Sequence, residues 1–152
     1  MFFVNLLNKI KQNLLKIYDE NLRRGKMLAV CGIVLKKGRV LLCKRPVGMN
    51  FPGFWEPPTE VIDEGETLED SLEKAIFERL TAIPQKIHHL GAVDFAYGEG
   101  GRLFACEVEL QRKFIHIYGY DDFRWVKLQD LKRFRMLKPH VTILTEQNGS
   151  EK

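Results

Sequence analysis

Residues 55–80 read WEPPTEVIDEGETLEDSLEKAIFERL, and the way this stretch folds settles the architecture around it. Its second half, Thr67 to Leu80, is the strongest helix signal in the chain. Thr67 is placed to cap the first turn, with Asp70 three residues on as a capping-box partner. Leu68, Leu72, Ile76 and Leu80 recur every four residues and predict one buried stripe, and Pro84 stops the pattern. Upstream, Val61 and Ile62 predict a brief strand before the Asp63-Glu64-Gly65 turn. Ala75, Glu78 and Arg79 fall at i, i+3 and i+4 and therefore share one helical face. Glu69, Asp70 and Glu73 lie nearly opposite, at about 100° per residue, and read as the solvated side.

Outward from the helix, the remaining pattern is mostly strand. Met27 to Leu35 is a continuous apolar run, Lys36-Lys37-Gly38 turns it, and Arg39 to Lys44 returns, predicting a hairpin. Arg45 to Pro58, rich in Pro and Gly, predicts an ordered loop running into a short extended segment. Strands follow near Lys86–Tyr97 and Arg102–Leu110, joined by a turn at 98–101, and again at Asp122–Leu128. Gln129–Phe134 and Pro139–Glu146 predict short helices, and residues 147–152 a frayed tail. Strands, a central helix, more strands and a final helix imply an α/β domain over 27–146, with a mixed sheet covered by helices on its faces. Residues 1–26 stand apart. Phe2, Phe3, Leu6, Leu7, Ile10, Leu14, Ile17, Tyr18 and Leu22 recur at helical spacing between lysines and asparagines, predicting an amphipathic helix that docks on its own domain, on a second copy or on another partner. No segment there is apolar for long enough to span a membrane.

Length and composition fit one ordered domain: 152 residues, 45% apolar, 29% charged, with a formal net charge of +4. That charge permits a nucleotide or nucleic acid as partner, but no basic run or basic helix face marks nucleic acid. Cys31, Cys43 and Cys106 sit far apart in apolar runs and read as reduced, buried thiols, so a cytoplasmic setting is the default, with an organelle left open. His88, His89, His116 and His140 show no metal-ligand spacing and read as core or surface residues.

Taken together, residues 27–145 resemble the Nudix (MutT-like) hydrolases. In that family a strand ends in W-E-x-P-G-G, a turn ends in G-E-[ST], and a helix carries R-E-U-x-E-E. Here Trp55-Glu56-Pro57-Pro58-Thr59-Glu60 takes the first place without a gap. Gly65-Glu66-Thr67 takes the second, and Lys74-Ala75-Ile76-Phe77-Glu78-Arg79 the third. The segment LLCKRP (41–46) and the later FRWVKLQDL (123–131) are also similar to family segments. The resemblance implies an α/β/α sandwich. It implies magnesium or manganese held by the second, fifth and sixth positions of the helix motif, with a main-chain carbonyl from the glycine pair.

Those three positions hold Ala75, Glu78 and Arg79. Alanine offers no oxygen to a hard cation that wants six, and arginine brings a permanent positive charge. Thr59 and Glu60 replace the glycine pair, which predicts strain there unless the backbone differs. Thr81 replaces the last glycine of the box and should change only the helix end. The metal set left by the resemblance is Glu78, the Thr59 carbonyl and Glu66, a weak or absent site. Glu66 matches an acid that supports the loop, with Lys74 as its contact. Glu64, Asp121 and Asp122 are the loop acids placed to compensate.

Two functions follow. One is a catalytically weak or inactive module binding a nucleotide-like or other phosphate ligand, or a macromolecule. The other is a divergent pyrophosphohydrolase of a nucleoside diphosphate linked to X, using magnesium or manganese with Glu78 and Glu66 as catalytic acids. RPVGMNFPGFWEPP (45–58) is also similar to a stretch of the Nudix-like C-terminal domain of adenine glycosylases, a lesion-recognition module. On that likeness Phe51, Phe54 and Trp55 are base-stacking candidates, with core or loop packing as the alternative. Arg45 is a phosphate contact or else an ion pair anchoring its loop, and Asp122 completes the ligand-binding candidates.

Overall fold

The structure is a computed structural model that describes residues 26–96, 100–111 and 116–149, with side chains up to residue 146. The expected N-terminal amphipathic helix lies outside the described residues, as do position 97 of an expected strand, 98–99 of the expected turn and 150–152 of the tail.

Strand β1 (Met27–Ile33) organises the domain because its alternation serves two cores at once. Leu28 and Val30 face one cluster, with Leu68, Leu72, Ile76 and Leu80 of helix α1 (Leu68–Leu80). Ala29, Cys31 and Ile33 face a second, with Ile143 and Leu144 of helix α2 (Lys138–Gly149). Strand β3 (Arg39–Lys44) repeats the device: Leu41 and Cys43 join the first cluster, Val40 and Leu42 the second. Period-two side chains with both faces covered give the expected α/β/α sandwich.

The first sheet is mixed. Its order is β5 (Thr59–Val61), β1, β7 (Gly101–Leu110), β6 (Pro84–Phe95), with β1 parallel to β7 and the other pairs antiparallel. The second sheet joins β2 (Leu35–Lys36), β3 and β4 (Trp55–Glu56), with β8 (Asp122–Lys127) also on β3. A 3-10 helix, Leu128–Arg133, leads toward α2.

This differs from the single hairpin expected at 27–44. The run Met27–Leu35 breaks at Val34, and β1 and β3 lie in different sheets. The hairpin is β2–β3, closed by Lys37 and Gly38 at φ 51° and 74°. Two successive left-handed residues make the tight connection that suits strand twist. Within β1, Gly32 lets helix α1 approach closely. A Cβ there would lie 3.1 Å from Leu72 Cδ1 and 3.2 Å from Val108 Cγ2, so α1 packs on bare backbone.

Helix α1 starts as the sequence predicts, with Thr67 Oγ1 accepting from Asp70 N at 3.1 Å. It ends on Thr81 in the left-handed region, φ 49°, the conformation that a glycine at this place would adopt freely. Neither Thr59 nor Glu60 has positive φ. Both are extended in β5, so the expected strain at the lost glycine pair is absent.

Candidate functional site

A cavity of about 720 Å³ opens between the β1–β5 edge and the start of α2. Met27, Ala29, Val61, Leu103 and Phe95 supply apolar wall, and Phe51 reaches it from the 45–54 loop. Arg45, Asn50, Thr59 and His140 supply its polar groups. The size falls in the range that takes a nucleoside-sized molecule.

Glu56 anchors the polar side. Its position on β4 leaves it 1% exposed, and a buried carboxylate must be paired. Arg45 Nη1 donates to Glu56 Oε1 at 2.5 Å, and Arg45 Nε donates to Asn50 O at 2.6 Å, tying the loop down. The Tyr120 hydroxyl donates to Glu56 Oε2 at 3.0 Å. That hydroxyl also accepts from Thr59 N at 3.2 Å and from Arg79 Nη1 at 3.0 Å. Burial, and then the Glu56 charge, push the Tyr120 pKa far up, so the phenol stays protonated and can act as that donor.

Arg79 closes the network from α1. Its Nη1 donates to Thr59 O at 2.6 Å and its Nη2 to Glu60 Oε2 at 2.9 Å, with the guanidinium 5.4 Å from the Tyr120 ring centre. Burial opposes its charge, but Tyr120, Glu60 and Glu56 outweigh that and raise its pKa. Gly119 leaves room for the Arg79 stem, since a Cβ there would sit 3.2 Å from Arg79 Cγ.

His140, on the first turn of α2, contacts Thr59, and both line the cavity. Thr59 Oγ1 donates to Pro57 O at 2.7 Å, so its 3.0 Å contact with His140 Nε2 requires that nitrogen to be the donor. Nδ1 is left as an acceptor, and it has no hydrogen-bond partner among the described residues. Burial, chiefly, keeps this imidazole neutral by lowering its pKa.

The NUDIX domain profile matches residues 25–147. The chain belongs to the Nudix (MutT-like) hydrolase family. Among curated relatives of this Nudix chain is the nucleoside triphosphatase NudI of Escherichia fergusonii, 32% identical over 120 residues, covering 69% of this chain and 84% of that protein. NudI of Klebsiella pneumoniae is 30% identical over 121 residues, with the same shares covered. Two solved structures share the fold. The MutT protein from Methanosarcina mazei has a TM-score of 0.73 at 17% identity, covering 84% of this chain and 96% of that one. The NUDIX domain of Shewanella oneidensis NrtR complexed with ADP ribose has a TM-score of 0.67 at 22% identity, covering 83% and 88%.

On this Nudix domain the expected site residues divide. Arg45, Phe51 and Thr59 meet at the cavity. Trp55 does not line it; the indole is half-buried against Phe134, ring centres 5.2 Å apart, with the Arg124 guanidinium 5.9 Å from the centre of the indole ring. Asp122 accepts from Arg124 Nη1 at 2.7 Å and from Phe123 N, closing its own strand end. Glu66 accepts from Ser71 Oγ at 2.9 Å and faces Lys74 at 3.9 Å, the supporting contact the sequence predicts. Ala75 is fully buried and Glu78 is exposed. Of the supposed solvated acids, Glu69 is instead paired with His89 at 2.7 Å. The three cysteines are buried and free.

The donor set of the described residues does not suit a divalent cation. Among the described residues no group of three His, Cys, Asp or Glu side chains could hold one, and the Thr59 carbonyl is engaged by a guanidinium. No described helix is long and apolar enough to cross a membrane. Glu56, Glu60, Tyr120 and His140 are site residues that sequence reasoning missed.

Proposed function

We propose that this Nudix domain is a nucleotide-binding module with little or no phosphoanhydride hydrolysis. One observation carries the reading: the helix edge that should grip a cation offers a buried methyl at Ala75 and a carboxylate at Glu78 that stands in solvent. Magnesium needs several oxygens converging at about 2 Å, and one outward acid does not assemble them. The cavity supports the ligand half of the proposal. Its apolar wall suits a base or ribose face, and Phe51, in edge contact with Phe54 at 5.6 Å, offers a ring at the mouth. His140, whose buried Nδ1 has no hydrogen-bond partner among the described residues, stands beside that wall. Arg45 keeps unspent N–H donors at the rim for a phosphate, although its first task is anchoring the loop. The ADP ribose held by the NrtR domain supports the ligand class.

The likeness to nucleoside triphosphatases favours a second reading, a divergent hydrolase of a nucleoside diphosphate linked to X that uses magnesium or manganese with Glu78 and Glu66. The test separates them. Phosphate release from a panel of nucleoside triphosphates and dinucleotides is followed with each metal, and equilibrium binding of the same panel is measured with chelator present. The proposal expects saturable binding without turnover. Metal-dependent turnover abolished in Glu78→Ala would establish the hydrolase instead.

A further inference from the structure

We propose that Arg79 is a resident cation: its guanidinium stands in for the divalent ion of the Nudix site, so that the site is assembled without metal. The inference deepens the functional reading above and rests on it for the identity of the site. Three observations converge. The residue comes from a helix position that the family gives to a metal-binding carboxylate, so the sign of the charge at that place is reversed. Its Nη1 lies 2.6 Å from the Thr59 carbonyl, the main-chain group corresponding to the one that the family turns toward metal. Its Nη2 lies 2.9 Å from the Glu60 carboxylate, and Glu60 stands where the family has glycine. An anion has therefore been added to β5 opposite the cation added to α1.

The chemistry of the exchange is consistent. A divalent ion joins helix to strand by collecting carboxylates from one and a carbonyl from the other. Here one guanidinium spans the same gap with directional hydrogen bonds, and the phenol of Tyr120 takes a further N–H. One positive charge is matched by one carboxylate, so the junction is neutral before any ion arrives. A magnesium ion at the Thr59 carbonyl would have to displace the guanidinium or sit beside it against like charge. Three of the five N–H groups are used and one-fifth of the side chain is exposed, which leaves donors for an anionic ligand.

The probe is manganese alone, read by the loss of its free-ion electron paramagnetic resonance signal, with thermal unfolding in magnesium or chelator alongside. The wild-type chain should bind no stoichiometric manganese, and its Tm should be the same in magnesium and in chelator. Arg79→Gln removes the charge and keeps hydrogen-bonding capacity. It should lower Tm and bind manganese about tenfold or more tightly than wild type, with Tm becoming magnesium-responsive. Arg79→Lys, which keeps the charge, should stay unresponsive. One equivalent of manganese bound by wild type, a Tm that falls in chelator, or an Arg79→Gln variant no better at binding manganese would each overturn the proposal. A chain that binds no nucleotide yet ignores metal would sink the functional reading and leave Arg79 standing; nucleotide binding together with stoichiometric manganese would do the reverse.

Discussion

Replacing Tyr120 by phenylalanine removes one oxygen from a 6% exposed side chain and keeps its volume. That oxygen serves three partners: it donates to Glu56 Oε2 at 3.0 Å and accepts from Arg79 Nη1 at 3.0 Å and Thr59 N at 3.2 Å. Two of these bonds involve a charged group, each contributing about 1.5–3 kcal/mol, and the third is an ordinary bond of about 1 kcal/mol. Arg79 recovers part of its loss, since it keeps Thr59 O and Glu60 and is partly exposed. Glu56 does not, being buried with only Arg45 left. The expected net loss is about 2–4 kcal/mol. At roughly 2–4 °C per kcal/mol for a chain of this size, Tm should fall by about 5–15 °C. Urea unfolding at unchanged m-value is the companion measurement, with exposed Tyr118→Phe as the control. A loss under about 0.5 kcal/mol would show that the hydroxyl does not join helix, strand and loop as the distances imply.

Four further outcomes are expected. Thr81→Gly should stabilise the domain by about 0.5–1 kcal/mol, because a β-branched residue at φ 49° carries a left-handed penalty that glycine escapes; calorimetry reads the gain, and a loss would mean that the Thr81 hydroxyl bonds to Leu80 O and His116 O dominate. Gly32→Val should cost about 1–3 kcal/mol by forcing α1 off β1, seen as a lower urea midpoint. His140 titrates below its ordinary value, so the unfolded chain binds its proton first. Stability from this group is therefore complete above about pH 6.5 and declines as pH falls toward the folded pKa; His140→Gln should flatten that part of the Tm–pH curve. Burial pushes the Cys106 thiol up to about 12 and the Cys31 and Cys43 thiols higher still, so native protein should resist a thiol reagent that the urea-unfolded chain consumes at once.

The sequence made some of this site readable and hid the rest for a physical reason. Local periodicity suffices for α1: the four-residue stripe, the Thr67 cap and the shared face of Ala75, Glu78 and Arg79 all depend on neighbours within two turns. The partition of strands between two sheets does not, and β1 and β3 looked like one hairpin because the break at Val34 leaves the apolar run intact. The partners of Arg79 come from 20 and 41 residues away, which no helical wheel reveals. One signal was nevertheless present. Glu60 and Arg79 both depart from the family pattern, and their charges are opposite. Tyr120 carried no such mark, lying in a segment without strong periodicity. His140 was readable as a core residue but not as the group that orients Thr59.

The pairing of Arg79 with Glu60 also makes the change hard to undo. Glutamate at 79 by itself would set two carboxylates at the Thr59 carbonyl with nothing positive between them. Glutamate at 75 by itself would drive a charge into a position that has no contact with water. Each single exchange to glutamate therefore carries a cost that the Arg79–Glu60 pair avoids. The two charges thus act as a latch between helix and strand, and each holds the other in place.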